Sequence, residues 1–423
     1  MDLSFERRAW TLIYVCLGVV EGGTAAVMVR ALFVDAAPGV LVDVVLAMVS
    51  AAPAWSNLAS LVFARRVQGQ PKIGFLQPLL LAMTVCVAAL ALLPASGTGL
   101  LLFLLLYGCA RVLWCGVDTV RAVLWSTNYP RRLRARITGR IAVNTSIALA
   151  TGGLVLGWLL EREEPWYRIW IVAAAVCGLA GSIAFRRFRV RNEETLLAAE
   201  RARLDEGASF SLGGVRGLLA RDAWFRRYMY AMSLFGAGNL ALIPLLIVCF
   251  DEVLHLPAFW QIAVTTAVPV LVIPFAIRPW ASYLDRHHVV AFRSVHGWVL
   301  VTAAALLVAA VLLPLPFLIW PGALLLGVSL AAGSLGWSLG HNDFAPRGEE
   351  TRYMALHVTL TGLRGLLAPP VAVAAYHGLE YLRAGVGRWA LVLPLAFIAA
   401  GAREFTAMDR QRTMTGQQPQ ERR

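Results

Sequence analysis

Charge is what this sequence has least of. Of its 423 residues, 15% are Asp, Glu, Lys or Arg and 59% are hydrophobic, where an ordinary soluble chain carries about 25% charged residues. At a mean hydropathy of +0.66, a soluble core could not enclose that much apolar side chain. A soluble globular protein is excluded, and a polytopic membrane protein is left. Lysine is nearly missing: Lys72 is the only one, and every other basic side chain is Arg. That pattern reflects a GC-rich coding composition and carries little mechanism. The six cysteines (Cys16, Cys86, Cys109, Cys115, Cys177 and Cys249) all lie in apolar stretches. They form no C-x-x-C pair and no cluster with His, so neither disulfides nor a metal centre is expected. A Gly-rich nucleotide loop, a catalytic triad and zinc-ligand spacing are also missing. A primary pump or an intramembrane enzyme therefore has no support, and no cofactor is expected. The net charge of +13 would suggest nucleic acid in a soluble chain. Here the basic residues sit in alternate loops, so membrane topology explains them and no nucleic-acid partner is expected.

What the sequence has instead is long apolar runs, each of roughly 20 residues and sufficient to cross a bilayer. They read as spans at about 9–32, 40–64, 73–94, 99–126, 137–160, 167–185, 228–250, 258–283, 291–313, 317–342, 353–376 and 387–402, with ends uncertain by about 2 to 4 residues. The first run imitates a signal peptide, with Arg7-Arg8 before it and Thr24-Ala25-Ala26 near its end. Glu21 interrupts it, however, and it reads as a retained first helix. Asn144-Thr145-Ser146 matches a glycosylation sequon but lies at the end of a span, where it would not be used.

The runs fall into two groups of six. This divides the chain into a first bundle (1–185), a polar Arg-rich linker (186–227), a second bundle (228–402) and a tail (403–423). Landmarks recur between the halves. Phe5-Glu6-Arg7-Arg8 resembles Trp224-Phe225-Arg226-Arg227, Arg65-Arg66 answers Asp285-Arg286, and Trp125-Ser126 with Pro130-Arg131 answers Trp337-Ser338 with Pro346-Arg347. The offsets of Arg226 from Arg7, Arg286 from Arg66 and Arg352 from Arg136 are 219, 220 and 216 residues, as a parallel duplication requires. Arg7-Arg8, Arg65-Arg66, the stretch 131–140, the linker, Arg286, Arg293, Arg347 and Arg352 share one set of loops, while 34–39, 95–98, 251–257 and 314–316 carry no basic residue. Both termini and the linker are therefore expected on the cytoplasmic side. Residues 192–205 look helical and read as a solvated or membrane-surface tether. The tail from Asp409 onward is polar and reads as disordered.

On these residues the chain resembles the major facilitator superfamily. The likeness covers nearly the whole chain in architecture and a few loops in motif. The family often carries Gly-x-x-x-Asp-Arg-x-Gly-Arg between its second and third spans. Here the second-half copy survives in part as Ala281-Ser282-Tyr283-Leu284-Asp285-Arg286, while the first-half copy has Ala64 in place of the Asp. The stretch Tyr129-Pro130-Arg131 to Arg136-Ile137-Thr138-Gly139 resembles the pattern that follows the family's fourth span. Asp285, Arg286 and Arg136 are accordingly gate and loop candidates. The Gly-Pro pair of the family's antiporter signature is missing from span five, where Gly152-Gly153 and Gly157 stand without a Pro.

Ionisable residues inside a membrane are expensive, and each is a functional candidate. In the fourth span Arg111, Trp114, Asp118, Arg121 and Trp125 share one helix face, which should line a wet cavity. Glu21 lies about 18 Å into the first span and Arg111 at a similar depth in the fourth, at 1.5 Å per residue. The two could meet near the midplane. Glu21 would then be either a proton-coupling carboxylate or half of a static ion pair. In the second half Asn239 falls near the repeat-equivalent of Glu21. His357, Thr361 and Arg364 share a face of span eleven, suited equally to an anionic substrate group or to interhelical pairing. His341, Asn342 and Asp343 read as a solvated helix end. Trp55, Trp114 and Trp337 read as packing residues or substrate-stacking surfaces.

The resemblance implies a secondary transporter of a bacterial inner membrane, monomeric, exchanging a small solute and protons through two rocking six-helix bundles set in membrane lipid. The excess of Arg over carboxylate favours a polar or anionic solute. A proton-linked exporter of hydrophobic compounds, and a sensor or scaffold that borrows the fold, remain as alternatives.

Overall fold

The computed structural model describes residues 3–205, 212–313, 315–346 and 349–414. Among these residues every regular element is helical. Eleven helices are long and apolar enough to cross a bilayer, and the bent pair Gly39–Ser50 and Ala52–Val67 makes a twelfth. In chain order, spans 1 to 6 are Ser4–Phe33, the bent pair, Lys72–Leu90, Gly97–Asn128, Arg136–Leu160 and Trp166–Arg187. Spans 7 to 12 are Ala223–Glu252, Ala258–Arg286, Val289–Leu312, Pro316–Asp343, Arg352–Leu382 and Gly387–Met414. Helices are the form such segments must take, because in hydrocarbon each backbone N–H and C=O has to be satisfied within its own segment. The duplication appears in the helix starts. Ala223, Val289 and Glu350 open helices 220, 217 and 219 residues after Leu3, Lys72 and Arg131 open theirs.

By its contacts the chain forms two compact units. Unit 1 is Met1–Ser209 with Pro257–Ala267, and unit 2 is Phe210–Leu256 with Val268–Arg423. In unit 1, span 1 packs on spans 5 and 6, and span 3 on spans 4 and 6. The crossing of spans 1 and 5 is backbone on backbone. A Cβ on Gly18 would lie 2.5 Å from the Leu149 carbonyl oxygen, and one on Gly152 would lie 2.7 Å from that of Val15. Span 1 is not one continuous helix: it stops at Val19 and restarts at Gly22. Span 2 breaks beside it with a 49° bend, where Pro53 has no N–H to give. The two breaks meet, because a Cβ on Gly22 would lie 2.6 Å from the Ser50 carbonyl oxygen. The opening of span 8 also belongs to unit 1. It carries a π-helical turn at Ala263–Ala267 just before Pro269, whose missing N–H removes the bond that would close a regular turn.

The linker helix Glu193–Asp205 is docked on the turn between spans 2 and 3, where a free tether was expected. Lys72 Nζ meets Glu200 Oε2 at 2.5 Å and donates to the Val67 carbonyl at 2.7 Å. Glu200 also accepts from Gly69 N, and Glu193 accepts from Lys72 N. In unit 2, span 7 packs on spans 11 and 12, span 9 on 10 and 12, and span 8 on 10. Asp222 caps span 7 by accepting from Phe225 N at 2.8 Å, and its other oxygen accepts from the Tyr353 hydroxyl at 2.9 Å. Span 12 continues as helix to Met414, through residues 409–414 that composition assigned to a disordered tail. Residues 415–423 lie outside the described residues.

Candidate functional site

In unit 1 the interruption of span 1 sets Glu21 at the N-cap of its second half, in extended backbone and with no capping hydrogen bond from its side chain. The carboxylate is thus at the positive end of a helix, in a discontinuous span of the kind that builds binding sites. Span 4 brings Arg111 to it. The closest approach, Arg111 Nη1 to Glu21 Oε2, is 3.4 Å, with the side chains 6% and 27% exposed. Charge-assisted bonds run at about 2.7–2.9 Å, so this pair is loose. Arg111 Nε is buried without a partner. One turn further on is Trp114. Beyond it Asp118 and Arg121 pair along the helix at 2.7 Å.

The Arg121 guanidinium is enclosed by aromatic rings. It lies 5.4, 5.9, 5.6 and 4.9 Å from the ring centres of Trp10, Tyr14, Trp114 and Trp125 and donates to the Tyr14 hydroxyl. Trp10 and Trp125 in turn donate to Glu6 Oε1 at 3.2 and 3.1 Å. Contacts of this kind hold a cation strongly once it is desolvated, so Arg121 is fixed where Arg111 is not. Trp10 and Tyr14 carried no signal in the sequence, because their part depends on span 4 lying across span 1. A second ion pair was equally silent. Arg30 and Asp43 meet at 2.5 Å with side chains 6% and 0% exposed, joining span 1 to span 2.

Unit 2 gathers the span 11 candidates as the helix spacing requires. Arg364 donates to the Thr361 hydroxyl at 2.6 Å and to the Met232 carbonyl, and Thr361 donates to the His357 carbonyl at 2.8 Å. Trp337 lies 6.1 Å from His357 ring to ring. Asn239 is half-buried on span 7. Two residues differ from their sequence reading. Arg293, counted among loop charges, is 2% exposed inside span 9 and bonds His296 Nδ1 at 3.1 Å, while His296 Nε2 meets the Ser329 hydroxyl at 3.0 Å. His341, read as a solvated helix end, is buried, while Asp343 accepts from Val289 N at 2.7 Å and so caps span 9. Asp285, Arg286 and Arg136 are exposed and are not drawn into either cluster.

The family model of the Major Facilitator Superfamily matches residues 43–369. The chain belongs to that superfamily. Solved structures agree on the fold. A D-xylose–proton symporter is 12% identical, with each chain 96% covered and a TM-score of 0.68. A nucleoside transporter, NupG, is also 12% identical, with 97% of this chain and 100% of its own covered, at 0.66. A bacterial homologue of the human lysosomal transporter Spinster, inward-facing and unoccupied, is 14% identical over 96% and 97%, at 0.63. At such identities the likeness is one of fold. No curated relative matches the sequence. A superfamily member with these neighbours is a multi-pass membrane protein with a transporter's architecture rather than an enzyme's.

Proposed function

We propose that this superfamily member is a secondary active transporter of a small polar or anionic solute. It works by alternating access in a bacterial inner membrane, as a monomer with both termini cytoplasmic, and is coupled to protons through Glu21. The observation that carries the proposal is the loose Glu21–Arg111 contact at a broken span, 3.4 Å with Glu21 27% exposed. A tight buried pair holds helices together; a loose one can be opened by a competing group at modest cost. When a solute anion engages Arg111, Glu21 loses its counter-charge and takes up a proton. When the solute leaves, Arg111 returns and the proton is released. This is a positive coupling between two ligands, solute and proton, each favouring the binding of the other. Asp118, Arg121 and Trp114 would hold span 4 in register, and within unit 2 Asn239 and Arg364 are the substrate candidates. Coupling in the D-xylose–proton symporter named above lends the fold, and nothing more, to this reading.

The test is proton uptake by purified protein in weakly buffered detergent, challenged with sugars, organic acids, amino acids and amphipathic drugs, beside flux into liposomes. A compound-specific proton signal and flux are expected in the wild type, and both vanish in a folded Glu21→Gln variant. Equal flux in the two proteins at every pH tested would sink the coupling.

A further inference from the structure

Where the chain leaves span 6 in unit 1 it carries three arginines close together. The span ends in a 3-10 turn, Phe185–Arg187, and Phe188 leaves that turn in extended backbone. From there burial alternates. Phe188 and Val190 are 8% exposed, while Arg187, Arg189 and Arg191 are exposed. Alternation of this kind belongs to an extended chain, with the apolar pair inward and the arginines outward. The Phe188 ring packs on those of Phe185 and Phe5, at 4.7 and 6.0 Å centre to centre. Asn128, at the end of span 4, clips the segment in place. Its Oδ1 accepts from Arg191 N at 2.8 Å, and its Nδ2 donates to the Arg189 carbonyl at 3.3 Å. Residues 187–191, Phe5 and Asn128 line a groove of about 710 Å³, and none of them is acidic. Among the described residues none of the three arginines forms an ion pair. Glu6, beside Phe5, is buried and accepts from Trp10 and Trp125, and Glu193 accepts from Lys72 N.

The height of the groove follows from the spans around it. Phe5, Asn128 and Arg187 stand at the ends of spans 1, 4 and 6, which run Ser4–Phe33, Gly97–Asn128 and Trp166–Arg187. Three apolar segments therefore leave the hydrocarbon at this level, and the Asn128 clip draws Arg191 back to it. Lipid head groups begin here and occupy about 5–8 Å of each leaflet. The hydrocarbon beside the groove meets a bare apolar surface. Val172, Val176, Leu179 and Ile183 fall on one face of span 6 and are 45, 57, 39 and 48% exposed. That stripe stops one turn short of Arg187. A soluble anion would use only the guanidinium groups, whereas a phospholipid would use both the charge and the stripe.

We propose that this groove binds an anionic phospholipid, with its phosphodiester on the guanidinium groups of Arg187, Arg189 and Arg191 and an acyl chain along the Val172–Ile183 stripe. Arginine suits that head because its planar fork of N–H donors matches phosphate oxygens. A zwitterionic head brings its own cation, which three unpaired arginines repel. As a lipid site this is independent of the transport reading; the assignment of the lipid to the cytoplasmic leaflet rests on that reading.

The experiment is native mass spectrometry of the full chain released from detergent, titrated with phosphatidylglycerol, phosphatidylcholine and glycerol 3-phosphate. One saturable phosphatidylglycerol adduct is expected, with the other two compounds bound about tenfold more weakly or less. Arg189→Gln combined with Arg191→Gln weakens phosphatidylglycerol by about 25-fold, about fivefold for each arginine. The control, Arg286→Gln combined with Arg410→Gln, removes the same charge at exposed positions that line no part of the groove. It leaves phosphatidylglycerol binding within about twofold of the wild type. Unchanged binding in the groove variant overturns the proposal. So does an equal loss in the control, which would make the effect one of diffuse surface charge. Phosphatidylcholine bound as tightly as phosphatidylglycerol also overturns it, and glycerol 3-phosphate bound as tightly does so in favour of a soluble phosphate compound. A protein that binds phosphatidylglycerol in this way yet moves no solute supports the site while defeating the transport reading. One that moves solute but binds no phosphatidylglycerol does the reverse.

Discussion

The two units treat buried charge in opposite ways. Among the described residues unit 1 supplies a carboxylate for each buried cation, Asp43 for Arg30, Glu200 for Lys72 and Glu21 for Arg111, and both units pair half-buried arginines, Arg121 with Asp118 and Arg412 with Asp409. Unit 2 encloses Arg293 and Arg364 and gives them only neutral acceptors. A shared ancestry by duplication explains the common helix plan, but it does not explain this difference. Matched charges are self-sufficient, and their work is done inside the protein. Unmatched ones are held by neutral acceptors alone and stay costly where they are. Within unit 1 the pairs also differ in grip, from 2.5 Å at Arg30–Asp43 to 3.4 Å at Arg111–Glu21.

The comparison is broken most directly at Asp43. Asp43→Asn strips the carboxylate from a fully buried pair and should destabilise the protein by about 3–5 kcal/mol, read as a fall in the thermal midpoint in detergent. Arg364→Met in unit 2 should leave that midpoint equal or higher. Its acceptors keep their own helical partners, and a costly buried charge is removed. If both substitutions destabilise alike, the contrast between the units fails. The second effect in size belongs to Glu200→Gln, which leaves Lys72 with weaker acceptors and should cost about 1.5–3 kcal/mol. Hydrogen exchange should then quicken along Glu193–Asp205 and stay unchanged in unit 2. The third is Glu21→Gln. Its pair is long and Gln keeps a neutral acceptor beside the buried Arg111, so a smaller loss than that of Asp43→Asn is expected; a drop as large as that of Asp43→Asn would make Glu21 a structural residue.

The smallest effect lies at His288, between spans 8 and 9. Its Nδ1 accepts from Val290 N at 3.2 Å, and burial holds the imidazole below the usual histidine range, with Arg412 adding to the effect and Asp343 opposing it. The folded state thus prefers the neutral ring. This contribution is fully present above the unfolded value of about 6.5 and is lost as pH falls below it toward the folded value. His288→Asn keeps a capping acceptor that does not titrate. It should flatten the stability difference between pH 7.5 and 5.5 by under about 1 kcal/mol.

How far the sequence could be read follows from what each feature depends on. Span positions and the repeat are local properties, carried by runs of apolar residues and by landmarks such as Arg7 and Arg226. Glu21 and Arg111 were legible because depth along a helix is arithmetic. The breaks in spans 1 and 2 were not, since Gly22-Gly23 and Pro53 are tolerated within continuous spans elsewhere and become interruptions only where two backbones meet. Arg293 was counted with the loop charges because it stands only two residues inside a span read as 291–313, within the error of about 2 to 4 residues of such a boundary, whereas the helix opens at Val289. Arg30, Asp43, Trp10 and Tyr14 became informative only through partners distant in the chain. The docking of the linker was not legible because Glu193 and Glu200 meet Gly69 and Lys72 from more than 120 residues away.

That single lysine has a practical consequence. Folding hides Lys72 completely, and no other lysine exists in the chain. A lysine-specific protease therefore has one bond to cut, Lys72–Ile73, and cannot reach it while the helix 193–205 stays in place. Cleavage into two fragments would report the exposure of that turn, a clock for its opening in a protein that otherwise offers such an enzyme no purchase.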